Sequence, residues 1–469
     1  MKHLAGLLFC LLLVSVTNAD NLDSSAALFL KNCAACHGLN LQGGDAQSLV
    51  DGKWVFAPNR DARKLVIKNG IPASGMPPHN TFTTQQINGL VDYIDAKAKA
   101  FKDNPTDIQP SAGQTIATLE KSDYTLKVQQ WVTDVKIPWA IQFLDPTTAL
   151  VTERPGGLRI IKNGQLDPQP IKNTPEVWHT GQGGLLDVNV DSEYATNKWI
   201  YLSYSHKLDG QNQGMTRVVR GKIVDHTWTD QQVLFEAPHH LYKSTRHHYG
   251  SRIVFPPDGY LYFSIGERGH QNDAQDITKP NGKIHRINRD GTIPPNNPFV
   301  NKPDAIPSIY TFGNRNPQGL SVHPVTGRVW ESEHGPKGGD ELNLIQKAGN
   351  YGWPEVTFGI NYNGTPITPF TTMKGMVDPI IHWTPSIAVC GIEFYDGSLF
   401  SKWTNHLIVT SLAFQEVRLV KIEGEKVTDQ EILIKRMGRV RDAAIGPDGA
   451  IYLATNGPDR ILRLIPGVQ

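Results

Sequence analysis

The sequence predicts an all-β six-bladed propeller, preceded by a small all-α domain. Six segments share one pattern: an apolar strand, a turn with Pro, Asp or Gly, a second strand rich in aromatic or β-branched residues, and a polar end with glycine. These segments cover residues 140–157, 185–205, 252–269, 319–335, 391–411 and 442–457. Their starts are 45 to 72 residues apart, which is too irregular for a solenoid of identical turns. Sheets repeated around an axis fit better.

Composition agrees with many short strands, because 43 Gly and 32 Pro in 469 residues require frequent turns. We expect the propeller over residues 123–469. The segment 124–132, YTLKVQQWV, is expected to close the ring by adding a strand to the last blade. A two-layer β-sandwich is the main alternative, but it would not repeat in this way.

The charge balance argues against two classes of partner. The chain has 46 Lys and Arg against 45 Asp and Glu, a formal charge of +1. Without a basic excess, nothing indicates a surface for nucleic acid or for an anionic membrane.

The N-terminus has the pattern of a secretory signal peptide over residues 1–19. Lys2 and His3 precede an apolar run at 4–16, and the small-residue site Thr17-Asn18-Ala19 follows. The run is short for a membrane span, and no later segment has about 18 consecutive apolar residues. An uncleaved anchor is the alternative. We therefore expect a bacterial periplasmic protein with no transmembrane segment after cleavage.

The motif Cys33-Ala34-Ala35-Cys36-His37 carries the chemistry of the first domain, which we expect over residues 20–101. Two thiols separated by two residues can bond the two vinyl groups of one haem, and the adjacent His37 can ligate its iron. Met76, in a loop rich in Gly and Pro, can supply a thioether as sixth ligand. An ordinary core methionine is the alternative. Ligation by His and Met suits electron transfer.

The same segment has helix signals. Ser24 or Ser25 is expected to cap a helix that runs into the motif, and Thr83 with Gln86 forms a capping-box pattern. Four apolar residues then recur at helical spacing: Ile87, Leu90, Val91 and Ile94. The segment resembles a class I c-type cytochrome domain, which implies one covalent haem c. Residues 102–122, with Pro, Ser and Thr, are expected to be a linker.

Five polar clusters accompany the predicted strands of the propeller: HTGQGGLLD (179–187), STRHHYGSR (244–252), TFGNRNPQG (311–319), ESEHGPKGGDELNL (331–344) and MGRVRD (437–442). All but 331–344 immediately precede a repeat, so they can face one site at the mouth of the central channel. Arg and Gln there would suit a planar ligand rich in carboxylates. A histidine nearby could act as a base. For any one arginine, a surface or inter-blade ion pair is the alternative.

Together, GQGGLLD, HYGSRIVF, GNRNPQGL, EHGPKGGDELNLI followed by GNYGWP, and GRVRDAAIGPDG resemble the soluble PQQ-dependent aldose sugar dehydrogenase (glucose/sorbosone dehydrogenase) family. The resemblance spans roughly residues 130–465. It implies a six-bladed propeller that binds pyrroloquinoline quinone (PQQ) and Ca²⁺ at the channel mouth. It also implies that His248 is the general base for the anomeric hydroxyl, and that Arg315 stabilises charge developing on the quinone oxygen.

The resemblance implies further roles at the mouth. The residues expected to hold PQQ are Gln182, Asn316, Arg439 and Arg441. The backbone carbonyls of Gly335 and Pro336 would ligate the Ca²⁺ beside the cofactor, since a hard cation takes oxygen ligands. Glu341 and the backbone of Tyr351 resemble a second, structural Ca²⁺ site, with Asp340 as a further candidate.

Three positions depart from the family's pattern. Ala413 stands where a PQQ-contacting Lys is found, His247 replaces an Asp before the base, and Glu267 replaces a substrate-side Asp. These departures bear on cofactor affinity and on sugar preference. Lys337 is a candidate for the replacement charge.

The sequence therefore predicts oxidation of an aldose sugar or related aldehyde at C1, to the lactone or acid. Electrons would pass from reduced PQQ to the fused haem, and on to a soluble cytochrome, an oxidase or the quinone pool. The fusion motivates this hypothesis, because PQQ carries two electrons and a haem accepts one at a time. The alternatives are a Ca²⁺-dependent propeller lactonase and a non-catalytic propeller that docks a cytochrome.

Overall fold

A computed structural model describes residues 18–37, 41, 46, 48–50, 52, 54, 56–71, 76–103 and 113–467. The predicted leader, residues 1–19, lies almost entirely outside these residues. The chain divides into two compact units, Met1–Ile108 and Gln109–Gln469. In the described part of the chain, no helix combines the length and the apolar character needed to cross a membrane.

The first unit is helical. Its helices are α1 (Asn18–Asn32), α2 (Ala34–His37), α3 (Arg60–Asn69) and α4 (Thr84–Asp103). The predicted capping box starts α4: Gln86 N–H donates to Thr83 Oγ1 at 3.2 Å, and Thr83 N–H donates to Gln86 Oε1 at 2.9 Å. The predicted apolar face of α4 is buried, and α4 packs against α1 and α3.

The expected helix cap at Ser24 or Ser25 is wrong, because α1 begins at Asn18 and both serines lie inside it. Ser25 is instead buried against α4, where a Cβ added to Gly89 would lie 2.5 Å from the Ser25 Oγ. Two small residues thus allow the two helices to cross closely. Here tertiary packing overrides the preference of serine for helix caps.

The second unit is a six-bladed β-propeller, as predicted. Its strands in chain order are β1 (Thr115–Glu120), β2 (Thr125–Val132), β3 (Pro138–Asp145), β4 (Thr148–Glu153), β5 (Leu158–Lys162), β6 (Gln165–Leu166), β7 (Leu185–Val190), β8 (Ile200–Lys207), β9 (Gly214–Val224), β10 (Thr227–Phe235), β11 (Ile253–Val254), β12 (Leu261–Ile265), β13 (Lys283–Ile287), β14 (Ile309–Phe312), β15 (Pro317–Val322), β16 (Val329–Glu333), β17 (Asp340–Leu344), β18 (Ile381–Trp383), β19 (Val389–Phe394), β20 (Leu407–Ser411), β21 (Glu416–Glu423), β22 (Lys426–Lys435), β23 (Arg439–Ile445), β24 (Ile451–Asn456) and β25 (Arg460–Pro466). A short helix, α5 (Tyr194–Asn197), lies between β7 and β8.

Within residues 113–467 the strands form six antiparallel sheets: β3–β6, β7–β10, β11–β14, β15–β18, β19–β22, and β23–β25 joined by β2 and β1. The first strands of neighbouring sheets contact one another in a closed cycle, β3, β7, β11, β15, β19, β23 and back to β3. Each predicted repeat supplies the first two strands of one sheet. The outer strands come from the segments between repeats, whose lengths differ, and this explains the irregular spacing.

The ring closes as predicted, because β2 pairs antiparallel with β25, with Leu126 opposite Pro466. The linker prediction is wrong in its last part, since β1 pairs with β2 at the edge of the same sheet. Ile116 and Leu119 of β1 pack against the core of that sheet. These apolar contacts stabilise a short strand. In the sequence, the polar residues around it made the segment resemble a linker.

A buried ion triad ties three of the innermost elements together. Arg252 Nη1 lies 2.9 Å from Asp187 Oδ1 and 2.8 Å from Asp442 Oδ1. Arg252 immediately precedes β11, whereas Asp187 lies in β7 and Asp442 in β23.

Since every sheet repeats the same order from inside to outside, all six first strands begin at the same mouth of the channel.

Candidate active site

His334 lies where four of the polar clusters meet. Burial lowers the pKa of His334 well below its usual value, and the charges of Arg315, His248, Arg439 and Arg441 lower it further. These residues belong to the loops or strand starts of three different sheets. Because such interactions weaken with distance, the four side chains surround one region at the channel mouth.

His248 and Glu267 form a hydrogen-bonded dyad. His248 Nδ1 is bonded to Glu267 Oε1, and the Glu267 side chain is 2 % exposed. Burial, followed by the charges of Arg315 and His247, lowers the pKa of His248 well below its usual value. A proton on Nδ1 facing the carboxylate leaves the Nε2 lone pair to accept another. A neutral His248 at pH 7 is therefore suited to act as a base.

The backbone around His248 holds this histidine in place. His248 has a left-handed conformation with φ of 56°, and its N–H donates to Gln182 Oε1 at 2.8 Å. Arg268 is 0 % exposed and donates to the carbonyl of Thr245 at 2.6 Å and to that of His247. The predicted PQQ-binding residue Gln182 is thus bonded directly to the loop that carries the predicted base.

Arg315 lies beside the dyad. Its Nη1 donates to the carbonyls of His334 at 3.0 Å and Gly335 at 2.9 Å. Its guanidinium carbon lies 5.1 Å from the centre of the Trp353 ring. The Arg315 Nε is buried, and it has no hydrogen-bond partner among the described residues. An unpaired buried donor is costly, so this arrangement suits a polar ligand.

Glu333 organises the loop that carries Arg315 and Asn316. Its carboxylate accepts the backbone N–H groups of both residues, the second at 3.2 Å. Asn316 Oδ1 accepts the N–H of Gly250 at 3.2 Å, which joins this loop to that of His248. Asn316 Nδ2 is buried and has no partner within the described part of the chain. It is a second donor available to a ligand.

Arg439 and Arg441 stand at the start of β23. Arg441 is 8 % exposed, and its Nη2 donates to Asn456 Oδ1 at 3.0 Å. Its carbonyl accepts a bond from Arg252 Nη2 at 3.3 Å, so the buried ion triad supports the backbone of this strand. Both arginines act electrostatically on His334, which places them at the same mouth as His248 and Arg315.

The first predicted calcium position also lies at the mouth. The Gly335 carbonyl accepts the Arg315 bond described above, and its N–H donates to Asp340 Oδ1 at 2.9 Å. Pro336 follows it and is buried. Asp340 also accepts bonds from Ser386 Oγ at 2.7 Å and Val389 N–H at 3.0 Å. The Asp340 carboxylate therefore holds the GPKGG loop, residues 335–339, in place.

The second predicted calcium position lies in and after β17. Glu341 shares the side-chain amide of Asn343 with Glu331 and Glu333. The Tyr351 hydroxyl donates to Leu344 O at 2.7 Å, so a metal-binding role would fall to its carbonyl. Among the described residues, no group of three or more His, Cys, Asp or Glu side chains has an arrangement that could hold a metal ion.

In the first unit, Cys33, His37 and Met76 line one cavity of about 430 Å³. Most of the other lining residues are apolar, among them Phe29, Leu49, Ile67, Leu90 and Ile94, whereas Asn32, Arg63 and His79 are polar. The Cys36 side chain lies outside the described part of the structure. The two predicted iron ligands are therefore brought to one cavity, whose apolar walls suit a porphyrin.

The departures from the family's pattern lie in different surroundings. His247 is adjacent to His248, with ring centroids 4.6 Å apart, and burial lowers the pKa of His247. A neutral ring thus stands where the pattern has an acid. Ala413 donates its N–H to Ile387 O at 3.0 Å. Lys337 is exposed, and its proposed replacement charge stays a prediction.

Sequence reasoning missed four residues near the mouth: Arg154, Arg268, Glu333 and His334. Glu333 and His334 lie inside one of the five polar clusters, but their importance depends on partners from other sheets. Arg154 follows the second strand of the first repeat, in TERPGG, and Arg268 follows Glu267. The available signal was an arginine at the end of a repeat's second strand, next to a turn.

The comparison with protein families agrees with this geometry. Residues 135–463 match the family described as Glucose / Sorbosone dehydrogenase. The chain belongs to the glucose/sorbosone dehydrogenase family. It is an enzyme of the sugar dehydrogenase class. Residues 20–94 match the family described as Cytochrome C oxidase, cbb3-type, subunit III, which agrees with the predicted cytochrome domain.

Relatives of this dehydrogenase include the aldose sugar dehydrogenase YliI of Escherichia coli. It is 40 % identical over 325 residues, which cover 68 % of this chain and 87 % of the relative. The apo-form of the soluble E. coli aldose sugar dehydrogenase superimposes with a TM-score of 0.69 at 36 % identity, covering 73 % of this chain and 100 % of that chain. The PQQ-bound aldose sugar dehydrogenase of Streptomyces coelicolor superimposes with a TM-score of 0.59 at 26 % sequence identity. The match covers 74 % of this chain and 99 % of that chain.

The dyad leads to a prediction about pH. Because the pKa of His248 is lowered, we expect the acid limb of kcat/KM below about pH 6.5, the ordinary histidine value. Glu267→Gln removes an anion that favours the imidazolium, so the limb should move to still lower pH. The rate should fall by at most about tenfold per pKa unit lost, because the rate of a general base follows only part of the change in its pKa.

Glu236→Gln is the matched control, because Glu236 bonds His239 Nε2 at 2.8 Å outside the mouth. This variant should retain the wild-type pH profile. An acid limb of Glu267→Gln that stays in place or moves to higher pH would contradict the assigned dyad.

Proposed function

We propose that the propeller oxidises an aldose sugar or a related aldehyde at C1, to the lactone or acid, with PQQ as cofactor. The observation that carries the proposal is the His248–Glu267 dyad beside Arg315, at a mouth that also contains Arg439 and Arg441. A base and several guanidinium groups at one place serve proton removal and stabilisation of negative charge. Membership of the family supports the same conclusion.

The residues of the mouth fit a planar cofactor with several carboxylates. Buried donors without partners among the described residues occur on Arg154, Arg315 and Asn316. Guanidinium groups bind carboxylates through paired, charge-assisted hydrogen bonds. The residues that would hold PQQ are Gln182, Asn316, Arg439 and Arg441.

The reaction divides between the cofactor and the protein. PQQ, when bound, supplies a quinone carbonyl that takes up hydride. His248 Nε2 takes the proton of the substrate hydroxyl, and Glu267 stabilises the imidazolium that results. Arg315 would stabilise the negative charge that develops on the quinone oxygen. Its bonds to the carbonyls of His334 and Gly335 hold the guanidinium in position beforehand, so that little reorganisation is needed.

Ca²⁺ enters the proposal at two places. The carbonyls of Gly335 and Pro336 would hold one ion beside the cofactor. Glu341 and the carbonyl of Tyr351 would hold a structural ion. Burial, followed by repulsion from Glu333, raises the pKa of Glu341 well above its usual value. A divalent cation there would offset that repulsion.

The first unit would carry one haem c, bound through Cys33 and Cys36 and ligated by His37 and Met76. The cavity shared by His37 and Met76 supports this assignment. The haem, when bound, takes up single electrons, so the fused unit would accept electrons from the propeller. A soluble cytochrome, an oxidase or the quinone pool would follow. Export directed by residues 1–19 would place both units in the periplasm.

The proposal can be tested with the full chain carrying haem. PQQ and Ca²⁺ are added, the protein is mixed anaerobically with a panel of aldoses, and the haem absorbance is recorded. We expect reduction of the haem only when both PQQ and a sugar are present. Reduction of an added dye without the haem would overturn the electron-transfer step. Lactone hydrolysis without PQQ, and no sugar oxidation, would favour the lactonase.

Met76→Ala should separate the two activities. We expect sugar oxidation with an artificial dye to stay at the wild-type rate, because the propeller is unchanged. Reduction of the physiological acceptor should be lost, since removal of the thioether lowers the haem potential. Met373→Ala, at a partly exposed methionine of the propeller, should change neither activity. Equal loss of both activities in Met76→Ala would contradict the relay.

A further inference from the structure

Arg154 lies in the turn after β4 and contacts the end of the loop that carries Gln182. The Arg154 carbonyl accepts the N–H of Leu185 at 3.0 Å, where β7 begins. A Cβ added to Gly184 would lie 2.0 Å from Arg154 O and 2.5 Å from Arg154 Cγ. Gly184 therefore provides the space in which the Arg154 side chain leaves the turn.

The Arg154 guanidinium is desolvated beside a like charge. Burial lowers the pKa of Arg154, the charge of Arg439 lowers it further, and Asp459 opposes both. The Arg154 Nε is buried, and within the described residues it has no hydrogen-bond partner. The Asp459 carboxylate is used elsewhere, since it accepts the N–H groups of Ile137 at 2.8 Å and Gly457 at 3.2 Å.

These contacts locate Arg154 between two predicted cofactor-binding elements. On one side is the Gln182 loop, where burial and then the charge of Arg154 lower the pKa of His179. On the other side is Arg439, at the start of β23. Two guanidinium groups in a partly buried place repel each other. A carboxylate bound between them would offset this repulsion and supply the missing partner of Nε.

We propose that Arg154 is a further cofactor-binding residue, which holds a carboxylate group of PQQ beside Arg439. This inference rests on the proposed function and adds a fourth guanidinium, after those of Arg315, Arg439 and Arg441. Arg154 donates hydrogen bonds and charge to the ligand and takes no part in proton transfer.

The test measures binding rather than turnover. The full chain, prepared without PQQ, is titrated in Ca²⁺ with PQQ or with its trimethyl ester, and quenching of tryptophan fluorescence gives Kd. Arg154→Gln should raise Kd for PQQ by about ten- to a hundredfold, the range of one hydrogen bond between charged groups. The trimethyl ester lacks the anionic oxygens, so the wild type and Arg154→Gln should bind it with nearly the same Kd. Arg154→Lys should retain part of the affinity for PQQ.

Arg463→Gln is the matched control, because it removes one positive charge from β25, an outer strand of its sheet, where Arg463 pairs at 2.6 Å with Asp448 of the turn between β23 and β24. It should bind PQQ like the wild type. Unchanged affinity of Arg154→Gln would overturn the inference. Equal weakening towards PQQ and its ester would also overturn it, because Arg154 would then only support the Gln182 loop. Absence of PQQ binding by the wild type would overturn the proposed function as well.

Discussion

His248→Asn is expected to lower kcat by about a hundredfold to ten-thousandfold, the contribution typical of a general base. The asparagine side-chain N–H can still donate to Glu267, so the loop should keep its conformation. No group with a suitable pKa would then stand at the position of Nε2. The measurement is steady-state sugar oxidation with an artificial dye at saturating PQQ, together with the Kd of PQQ, which should stay near the wild-type value.

His240→Asn serves as the matched control, because His240 is an exposed histidine of the same propeller. It should leave kcat unchanged. If His248→Asn kept full activity, another group would be the base. If it lost PQQ binding as well as activity, His248 would act mainly through the cofactor site.

Arg315→Met should lower kcat by about a hundredfold to a thousandfold, or roughly 3–4 kcal/mol of transition-state stabilisation. Methionine fills much of the same volume but cannot stabilise negative charge on the reacting oxygen. The effect should appear at saturating PQQ and sugar, because the missing interaction strengthens as charge develops. Single-turnover measurement of sugar oxidation would separate this step from binding.

Arg315→Lys is the informative companion variant, since it keeps a charge but loses the guanidinium fork. We expect it to recover part of the rate. The Arg315 side chain also bonds the carbonyls of His334 and Gly335, so the melting temperature of each variant should be recorded. An unchanged kcat in a stable Arg315→Met protein would restrict Arg315 to a structural role.

Much of the fold could be predicted from the sequence, because its signals are local. The six repeats show as apolar strands separated by turns, and Thr83 with Gln86 forms the capping box that the pattern indicates. The ring closure predicted for residues 124–132 is confirmed, because β2 pairs with β25 of the last sheet. Two local signals misled: Ser25 resembles a cap but packs on Gly89, and the polar surroundings of β1 concealed its apolar contacts.

The candidate site was predictable only as a set of clusters. Gln182, His248, Arg315, Arg439 and Arg441 stand beside strand starts, so a propeller fold implies that they converge. Their individual contacts did not follow from the sequence. Each of these contacts joins residues from different segments of the chain. Examples are the bond from His248 to Glu267, the support of the Arg315 loop by Glu333, and the position of His334 among four charged or titratable side chains.

The sequence by itself determined the repeat, the haem-binding pattern and the types of residue available for chemistry. Periodicity, capping and motif spacing act over a few residues, so they can be recognised along the chain. Only the tertiary structure decided which side chains became buried and which charges became neighbours, as for Arg154 beneath Gly184 and beside Arg439. Burial and electrostatic interaction depend on distances in space, and between residues remote in the chain these distances exist only once the ring has closed.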